Sequence, residues 1–160
     1  MKVKMKELND IIRNTAKAYH DVSVRLGISD SVFNILYILC EEGEGCRQSV
    51  LYKKSGIRKT TVNSAIRKME KQGLLFLKPG EGRNTCIFLT EEGRTFLKDK
   101  IEPVIMIENE IMDSMTEEER SLFLQINRRL YLEFVRRALG NAGQEEMGQH
   151  EDHTVRAFHL

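Results

Sequence analysis

The chain of 160 residues is 41% hydrophobic and 31% charged, with two prolines, no tryptophan and a formal net charge of +1. This composition is typical of a helix-rich globular domain that is long enough to bury a core. No apolar run approaches the roughly 18 residues of a membrane helix, and the N-terminus has no hydrophobic signal core, so we expect a cytoplasmic protein with no membrane partner.

The first two predicted elements are helices. Apolar residues recur at three- and four-residue steps from Met5 to Leu26, which predicts an amphipathic helix that ends at Gly27. Ser29 is placed to cap a second helix, whose residues up to Cys40 leave almost no polar face. The second helix is therefore expected in the interior of the fold.

A helix-turn-helix is predicted next. The segment Gln48 to Lys54 is typical of a short helix, and Ser55-Gly56-Ile57 supplies a glycine-containing turn. The helix that follows, Lys59 to Gln72, places four apolar residues on one side, namely Val62, Ala65, Ile66 and Met69. Its other side mixes short polar side chains with cations, which suits a DNA major groove, where arginine binds guanine and asparagine binds adenine.

Two β-prone runs follow this helix. Gly73 fits a left-handed C-terminal cap. The runs 74–77 and 85–89 flank a tight polar loop that carries Arg83. A helix-turn-helix followed at once by such a hairpin predicts a winged helix.

The helix-turn-helix segment is also strongly basic. Residues 46–73 hold eight cations and one acid, Glu70, which gives a local net charge of +7 in a chain of +1. One basic face on a near-neutral molecule is what a protein that binds the phosphate backbone needs.

Helices are predicted again after the wing. Thr90 is placed to cap a helix that runs to about Asp113 and that Pro103 should kink. Thr116 and Glu119 predict a capping box that opens the last helix. The apolar stripe of that helix comprises Leu122, Phe123, Ile126, Leu130, Phe134, Val135 and Leu139, and Gly140 ends it.

Residues 141–160 have little periodicity and are predicted to form a disordered tail. The tail holds His150 and His153 at the i, i+3 spacing of a metal-binding pair, but without a supporting shell, so no metal site is predicted.

The three cysteines are Cys40, Cys46 and Cys86, an odd number without C-x-x-C spacing. Neither a disulfide framework nor a zinc site is therefore indicated. Cys40 and Cys86 lie in apolar segments, whereas Cys46 is expected to be the most exposed thiol.

The segment from residue 47 to 97 resembles the winged-helix region of the MarR family of bacterial transcriptional regulators. The residues that carry the likeness are Leu51, Gly56, Thr61-Val62, Ile66, the MEKQGLL run from Met69 to Leu75, Glu81-Gly82-Arg83 and Leu89-Thr90-Glu91-Glu92-Gly93. The family's wing usually carries Asp-x-Arg, in which the arginine reaches a minor groove, and Glu81-x-Arg83 is similar. Two residues depart from the family pattern: Ser55 replaces an apolar residue, and Arg58 replaces a helix-capping Ser or Pro.

The predicted fold is mainly α with a small β-hairpin wing (α+β): a winged helix-turn-helix with N- and C-terminal helices forming a dimerisation region. Dimerisation helices are expected at 1–28 and 91–140 and the DNA-binding domain at 29–90, because the terminal helices present more apolar surface than one winged helix covers. A two-fold dimer would place two recognition helices on successive major grooves of a palindromic operator. A helical cap folded back onto its own domain is the alternative.

The predicted function is that of a sequence-specific double-stranded DNA-binding transcriptional regulator, a repressor that acts as a homodimer. The resemblance implies release from DNA by a small-molecule effector. The residues of this chain that would bind the effector are not assigned. The predicted DNA-binding residues are Arg47, Lys53, Lys54, Arg58, Lys59, Thr60, Asn63, Ser64, Arg67, Lys68, Lys71 and Arg83. Of these, Thr60, Asn63, Ser64 and Arg67 are expected to read bases, Arg83 to probe a minor groove, and the other cations to hold phosphates.

Other functions stay open at this point. One is a redox- or metal-responsive regulator of the same fold, and another is a winged-helix protein-interaction module without an effector. An enzyme is not expected, because the chain has no phosphate loop, no nucleophile elbow and no glycine-rich cofactor turn, and no cofactor is predicted. His20, the one histidine outside the tail, has no obvious acid or nucleophile partner.

Overall fold

A computed structural model of the chain describes residues 4–82 and 84–140, and all statements on structure below concern this part. Its elements in chain order are α1 (Lys6–Arg25), α2 (Asp30–Glu42), β1 (Cys46–Arg47), α3 (Gln48–Lys54), α4 (Lys59–Lys71), β2 (Leu75–Pro79), β3 (Thr85–Leu89), α5 (Glu91–Lys100), α6 (Glu102–Asp113) and α7 (Glu117–Leu139). The chain divides into two compact units, with the boundary after Ile107. The predicted fold class, mainly helical with a small β wing, is confirmed.

Helix α2 is the centre of the first unit. Ser29 caps it as predicted, because the backbone N–H of Val32 donates to the Ser29 hydroxyl oxygen. Six of its apolar side chains are buried, namely Val32, Phe33, Ile35, Leu36, Ile38 and Leu39. They form one core with buried residues of α3, α4, β2, β3 and α5.

An ion pair links α1 to the start of α2. The Nδ1 atom of His20 lies 2.9 Å from an Asp30 carboxylate oxygen. The hydrogen bond to Asp30 raises the pKa of His20 above its ordinary value and lowers that of Asp30. The expectation that His20 has no acid partner is therefore wrong, since ten residues of sequence separate two groups that the turn between the helices brings together.

The helix-turn-helix has the predicted bounds to within one residue. Ser55, one of the two departures from the family pattern, is only 6% exposed. Its hydroxyl oxygen accepts a hydrogen bond from the backbone N–H of Ile57, which satisfies this buried polar group inside the turn. Ser55 therefore replaces an apolar contact by a local hydrogen bond.

The predicted hairpin is confirmed, but it belongs to a three-stranded antiparallel sheet with the order β1-β3-β2. Strand β1 pairs Cys46 with Ile87 and Arg47 with Cys86. A strand of two residues is too short to show alternation in the sequence, which is why it was predicted as part of the loop and the helix-turn-helix. Leu75 and Ile87 turn the sheet's inner face to the core, and both are almost fully buried.

Hydrogen bonds and close packing connect the turn between α4 and β2 to the start of α5. Gly73 has the predicted left-handed conformation, with φ of +72°. The Thr90 hydroxyl donates to the Gly73 carbonyl at 2.6 Å and accepts from the Gly93 backbone N–H at 2.9 Å, so Thr90 caps α5 as predicted. Gly93 packs directly on the Leu74 carbonyl, because a Cβ at Gly93 would lie 1.8 Å from that oxygen.

The long kinked helix predicted after the wing is instead two helices, α5 and α6. The break falls at Ile101, two residues before Pro103. Pro103 has no N–H to donate to the preceding turn, so the regular helix ends before it rather than bending around it. In the second unit, Thr116 and Glu119 form the predicted capping box and Gly140 ends α7.

The predicted tail, residues 141–160, lies outside the described residues, as do its two metal-spaced histidines. In the ranges 4–82 and 84–140 no single helix is long and apolar enough to cross a membrane. The pair α1 and α2 meets that criterion together by length and composition, but it is bent by 95°.

Candidate nucleic-acid interface

Helix α4 has one buried and one exposed face, as its sequence predicts. Val62, Ala65, Ile66 and Met69 are between 0% and 5% exposed and belong to the core. Burying these side chains contributes several kcal/mol in total at about 25 cal/mol per Å² of apolar surface. The core therefore fixes which side of α4 points outward.

The exposed face of α4 is polar and cationic. Thr60, Ser64, Arg67, Lys68 and Lys71 are all exposed. None of the three cations makes an ion pair with a described residue, so their charges are available to a partner. Ser64 is less free than its sequence suggests, because its hydroxyl donates to the Thr60 carbonyl at 2.9 Å.

Asn63 lies between α4 and α3 rather than on the open face. It is half-buried, and its side-chain oxygen accepts hydrogen bonds from the Gln48 amide at 2.9 Å and from the Tyr52 hydroxyl at 2.6 Å. A bidentate contact with adenine needs that same oxygen as an acceptor. The predicted base contact therefore requires the Asn63 side chain to leave both donors.

The start of α4 has cations but no side-chain cap. Arg58 occupies the N-cap position in an extended conformation, and its side chain makes no capping hydrogen bond. The Lys59 ammonium lies 5.5 Å from the centre of the Tyr52 ring, a cation–π contact. Both side chains are exposed at the end of the helix that a major groove would receive.

The predicted cations on and before α3 differ in how free they are. Arg47 and Lys53 are exposed and make no ion pair within the described ranges. Lys54 is paired with Glu42 and lies 3.8 Å from Glu41, and the hydrogen bond to Glu42 raises its pKa. Lys54 can therefore offer less net charge to phosphates than Lys53.

The outer face of the wing sheet carries a cation that the sequence analysis missed. Phe76 and Phe88 are cross-strand partners whose rings stack at 5.7 Å, and the Lys78 ammonium lies 5.1 Å from each ring centre. Phe76 and Lys78 are two residues apart on β2, so the alternation of a strand predicts that they lie on the same face of the sheet. Arg83, predicted to enter a minor groove, lies outside the described residues.

Cys46 is a buried thiol. Cys46 is 7% exposed, and burial raises its pKa to about 11. The expectation that Cys46 is the most exposed cysteine is wrong, because strand pairing with β3 turns its side chain into the core. A thiol that stays protonated is a poor nucleophile and reacts slowly with oxidants.

No group of three or more metal-ligating side chains occurs among residues 4–82 and 84–140. The charged groups of the site are arginine and lysine side chains with exposed ends, together with hydroxyls and amides. Such groups bind phosphates and base edges, and they do not by themselves provide a nucleophile and base in contact.

Comparison with known proteins finds a family model that matches part of the chain. Residues 26–83, which contain α2, the helix-turn-helix and the first strand of the wing hairpin, match the model of the MarR family. No curated protein matches the chain.

Solved structures of MarR regulators share the fold. A MarR family regulator from Neisseria meningitidis has 19% identity and a TM-score of 0.72 over 88% of this chain and 99% of its own. A MarR family regulator from Listeria monocytogenes, solved with a 26mer DNA, has 20% identity and a TM-score of 0.65 over 94% and 96%. The S. aureus MepR–DNA complex has 16% identity and a TM-score of 0.64 over 84% and 99%. The chain therefore has the winged-helix fold of these MarR family regulators, and its residues 26–83 match the family's model.

Proposed function

We propose that this regulator represses transcription as a homodimer that binds a palindromic operator in double-stranded DNA and leaves it when a small molecule binds. The observation that carries the proposal is the exposed face of α4, where three cations have no acidic partner among the described residues. Two of the similar structures are DNA complexes, which supports the same use of this face. Such a protein acts in the cytoplasm, where its DNA is.

Residue roles follow from exposure and charge. Arg67, with Thr60 and Ser64 beside it, is proposed to read base edges in the major groove. The phosphate contacts are proposed for Arg47, Lys53, Lys54, Arg58, Lys59, Lys68 and Lys71, and the minor-groove contact for Arg83.

The homodimer is proposed from apolar side chains that the described chain leaves in solvent. The large hydrophobic residues that are more than half exposed in α1, α6 and α7 are Ile11, Ile12, Val24, Met106, Ile107, Ile111, Leu122, Tyr131, Phe134 and Leu139. Exposed apolar surface on this scale marks an interaction site, and a second copy of the chain would bury these side chains on both molecules. The two α4 helices would then meet successive major grooves, about 34 Å apart.

Release by an effector requires that the small molecule bind a dimer conformation that does not fit DNA. The coupling is reciprocal, so the operator would weaken effector binding by the same factor. The burial of Cys46 disfavours an oxidant as the signal.

The test is fluorescence anisotropy with a duplex from the DNA upstream of the gene. We expect Arg67→Ala to lower operator affinity by about 5- to 150-fold and to relax discrimination at one base pair. Arg83→Ala should weaken binding to sites with A·T-rich flanks most. The matched control is Lys98→Ala, which removes one exposed positive charge from α5 and should leave operator affinity within about twofold.

Salt dependence separates DNA binding from protein docking. The logarithm of DNA affinity should fall linearly and steeply with the logarithm of salt concentration. Affinity that is indifferent to salt, or Arg67→Ala binding as tightly as the wild type, would contradict the proposal and favour a winged-helix protein-interaction module.

A further inference from the structure

Two pairs of side chains interlock between α3 and α4. Gln48 and Tyr52 lie one turn apart on α3, and Lys59 and Asn63 lie one turn apart on α4. Asn63 joins both α3 residues through its side-chain oxygen, at 2.9 Å from the Gln48 nitrogen and 2.6 Å from the Tyr52 hydroxyl. Gln48, Tyr52 and Asn63 are called the polar clamp below.

The oxygen of Asn63 has no acceptor capacity left for a base. A carboxamide oxygen has two lone pairs, and two donors already use them. Reading adenine would break both hydrogen bonds inside the protein, at a cost of about three- to tenfold in affinity for each.

The clamp constrains the orientation of α4 in a way that the apolar contacts beneath it do not. Leu51 of α3 and Val62 and Ile66 of α4 are almost fully buried under the two helices. Apolar burial is non-directional, whereas hydrogen bonds weaken steeply when their angle changes. The clamp therefore fixes the tilt of the first two turns of α4, which are the turns that contact bases in a helix-turn-helix.

Tyr52 extends this effect to a phosphate contact. Its hydroxyl is bound to Asn63, and its ring lies beneath the Lys59 ammonium at 5.5 Å. Movement of Tyr52 would thus displace Lys59, one of the cations at the N-terminal end of α4.

We propose that Asn63 is a positioning residue, which holds α4 in its DNA-binding orientation through Gln48 and Tyr52 and does not read a base. The effect of the clamp on DNA affinity rests on the proposed function, but the clamp itself can be tested without DNA.

The first experiment compares Asn63→Ala with Arg67→Ala on the operator and on a set of duplexes with single base-pair changes. Asn63→Ala should weaken binding to every duplex by the same three- to tenfold, because it loosens the whole helix. Arg67→Ala, one turn further along the same helix, should lose its discrimination at one position. If Asn63→Ala loses discrimination at a single base pair, Asn63 reads that base and the proposal is wrong.

The second experiment is a double-mutant cycle on urea denaturation with Tyr52→Phe, Asn63→Ala and the double variant. If the clamp exists, the double variant should have the same denaturation midpoint as Asn63→Ala, since the Tyr52 hydroxyl then has no partner to lose. Additive midpoint shifts would overturn the clamp. A wild-type protein that ignores DNA in dilute buffer would defeat the proposed function, and the cycle would still decide whether the clamp forms.

Discussion

Ile66 in α4 and Ile126 in α7 are the same residue type on two amphipathic helices, yet Ile66 is 1% exposed and Ile126 is 46% exposed. The difference extends to the regions around them. The first unit buries sixteen hydrophobic residues in one cluster, whereas Val135 is the only buried hydrophobic residue that α7 contributes. The first unit completes a core from its own residues, and the last helix has apolar surface that the described residues leave exposed.

The same amphipathic pattern therefore has different consequences in α4 and in α7. In α4 the apolar stripe orients the opposite, cationic face toward a partner. In α7 we propose that the apolar residues are themselves the surface for a partner, since exposing this much hydrophobic area to water is costly. Substitutions in α7 and in α5 change one of the two regions at a time.

The largest effect is expected from a charge placed on the exposed apolar surface of α7. Ile126→Glu should convert the proposed dimer to a monomer at micromolar concentration, because a carboxylate would have to be buried without a partner. Loss of the second half-site contact should lower operator affinity by a factor of about 100 or more. Analytical ultracentrifugation and anisotropy measure the two results.

The neighbouring Gln125→Glu introduces the same charge at an exposed polar position and serves as its control. It should leave the molecule dimeric and its operator affinity unchanged. A dimer that survives Ile126→Glu at nanomolar concentration would show that this part of α7 does not form the interface.

A smaller effect is expected where the winged helix completes its own core. Gly93→Ala would place a methyl group 1.8 Å from the Leu74 carbonyl oxygen, so α5 or the turn before β2 must move. Overpacking of this kind costs about 1–3 kcal/mol of unfolding free energy. Urea denaturation should show the loss at all protein concentrations, since Gly93 is in the self-contained region.

Thr95→Ala changes an exposed residue of the same helix and should alter the unfolding free energy by no more than about 0.5 kcal/mol. A Gly93→Ala variant as stable as this control would mean that the close packing of α5 on Leu74 is not maintained in solution.

The sequence predicted correctly those features that depend on residues close together in the chain. Ser29, Thr90 and the Thr116–Glu119 capping box predicted helix starts correctly, because a short polar side chain before an apolar run has few other uses. The buried face of α4 followed from its 3.6-residue period. These features depend on residues within one turn of each other.

The sequence did not predict features that depend on residues far apart in the chain. Strand β1 exists only through its pairing with β3, and this pairing also buries Cys46. Asn63 is at the edge of the polar face in a helical projection, but Gln48 and Tyr52 bind it from another helix. A projection of one helix cannot show which of its polar residues a neighbouring helix engages.

Arg58 offers the smallest and most discriminating test, because stability and DNA binding should change in opposite directions there. Arg58→Ser places a hydroxyl at the uncapped start of α4, which should add about 1 kcal/mol to the unfolding free energy. It also removes one proposed phosphate contact from each subunit, so the slope of log affinity against log salt should fall by about 1.8 for a dimer.

Arg58→Ala removes the same charge without supplying a capping oxygen, so it should match Arg58→Ser in salt slope and lack its gain in stability. Denaturation and anisotropy on the three proteins separate the two contributions of one residue. Arg58→Ser could exceed Arg58→Ala in DNA-binding free energy by as much as it exceeds it in unfolding free energy. That result would mean that DNA affinity is limited by how well the first turn of α4 is ordered. An equal affinity of the two variants would instead mean that the polar clamp and the buried face of α4 already hold that turn in place, which is the result we expect.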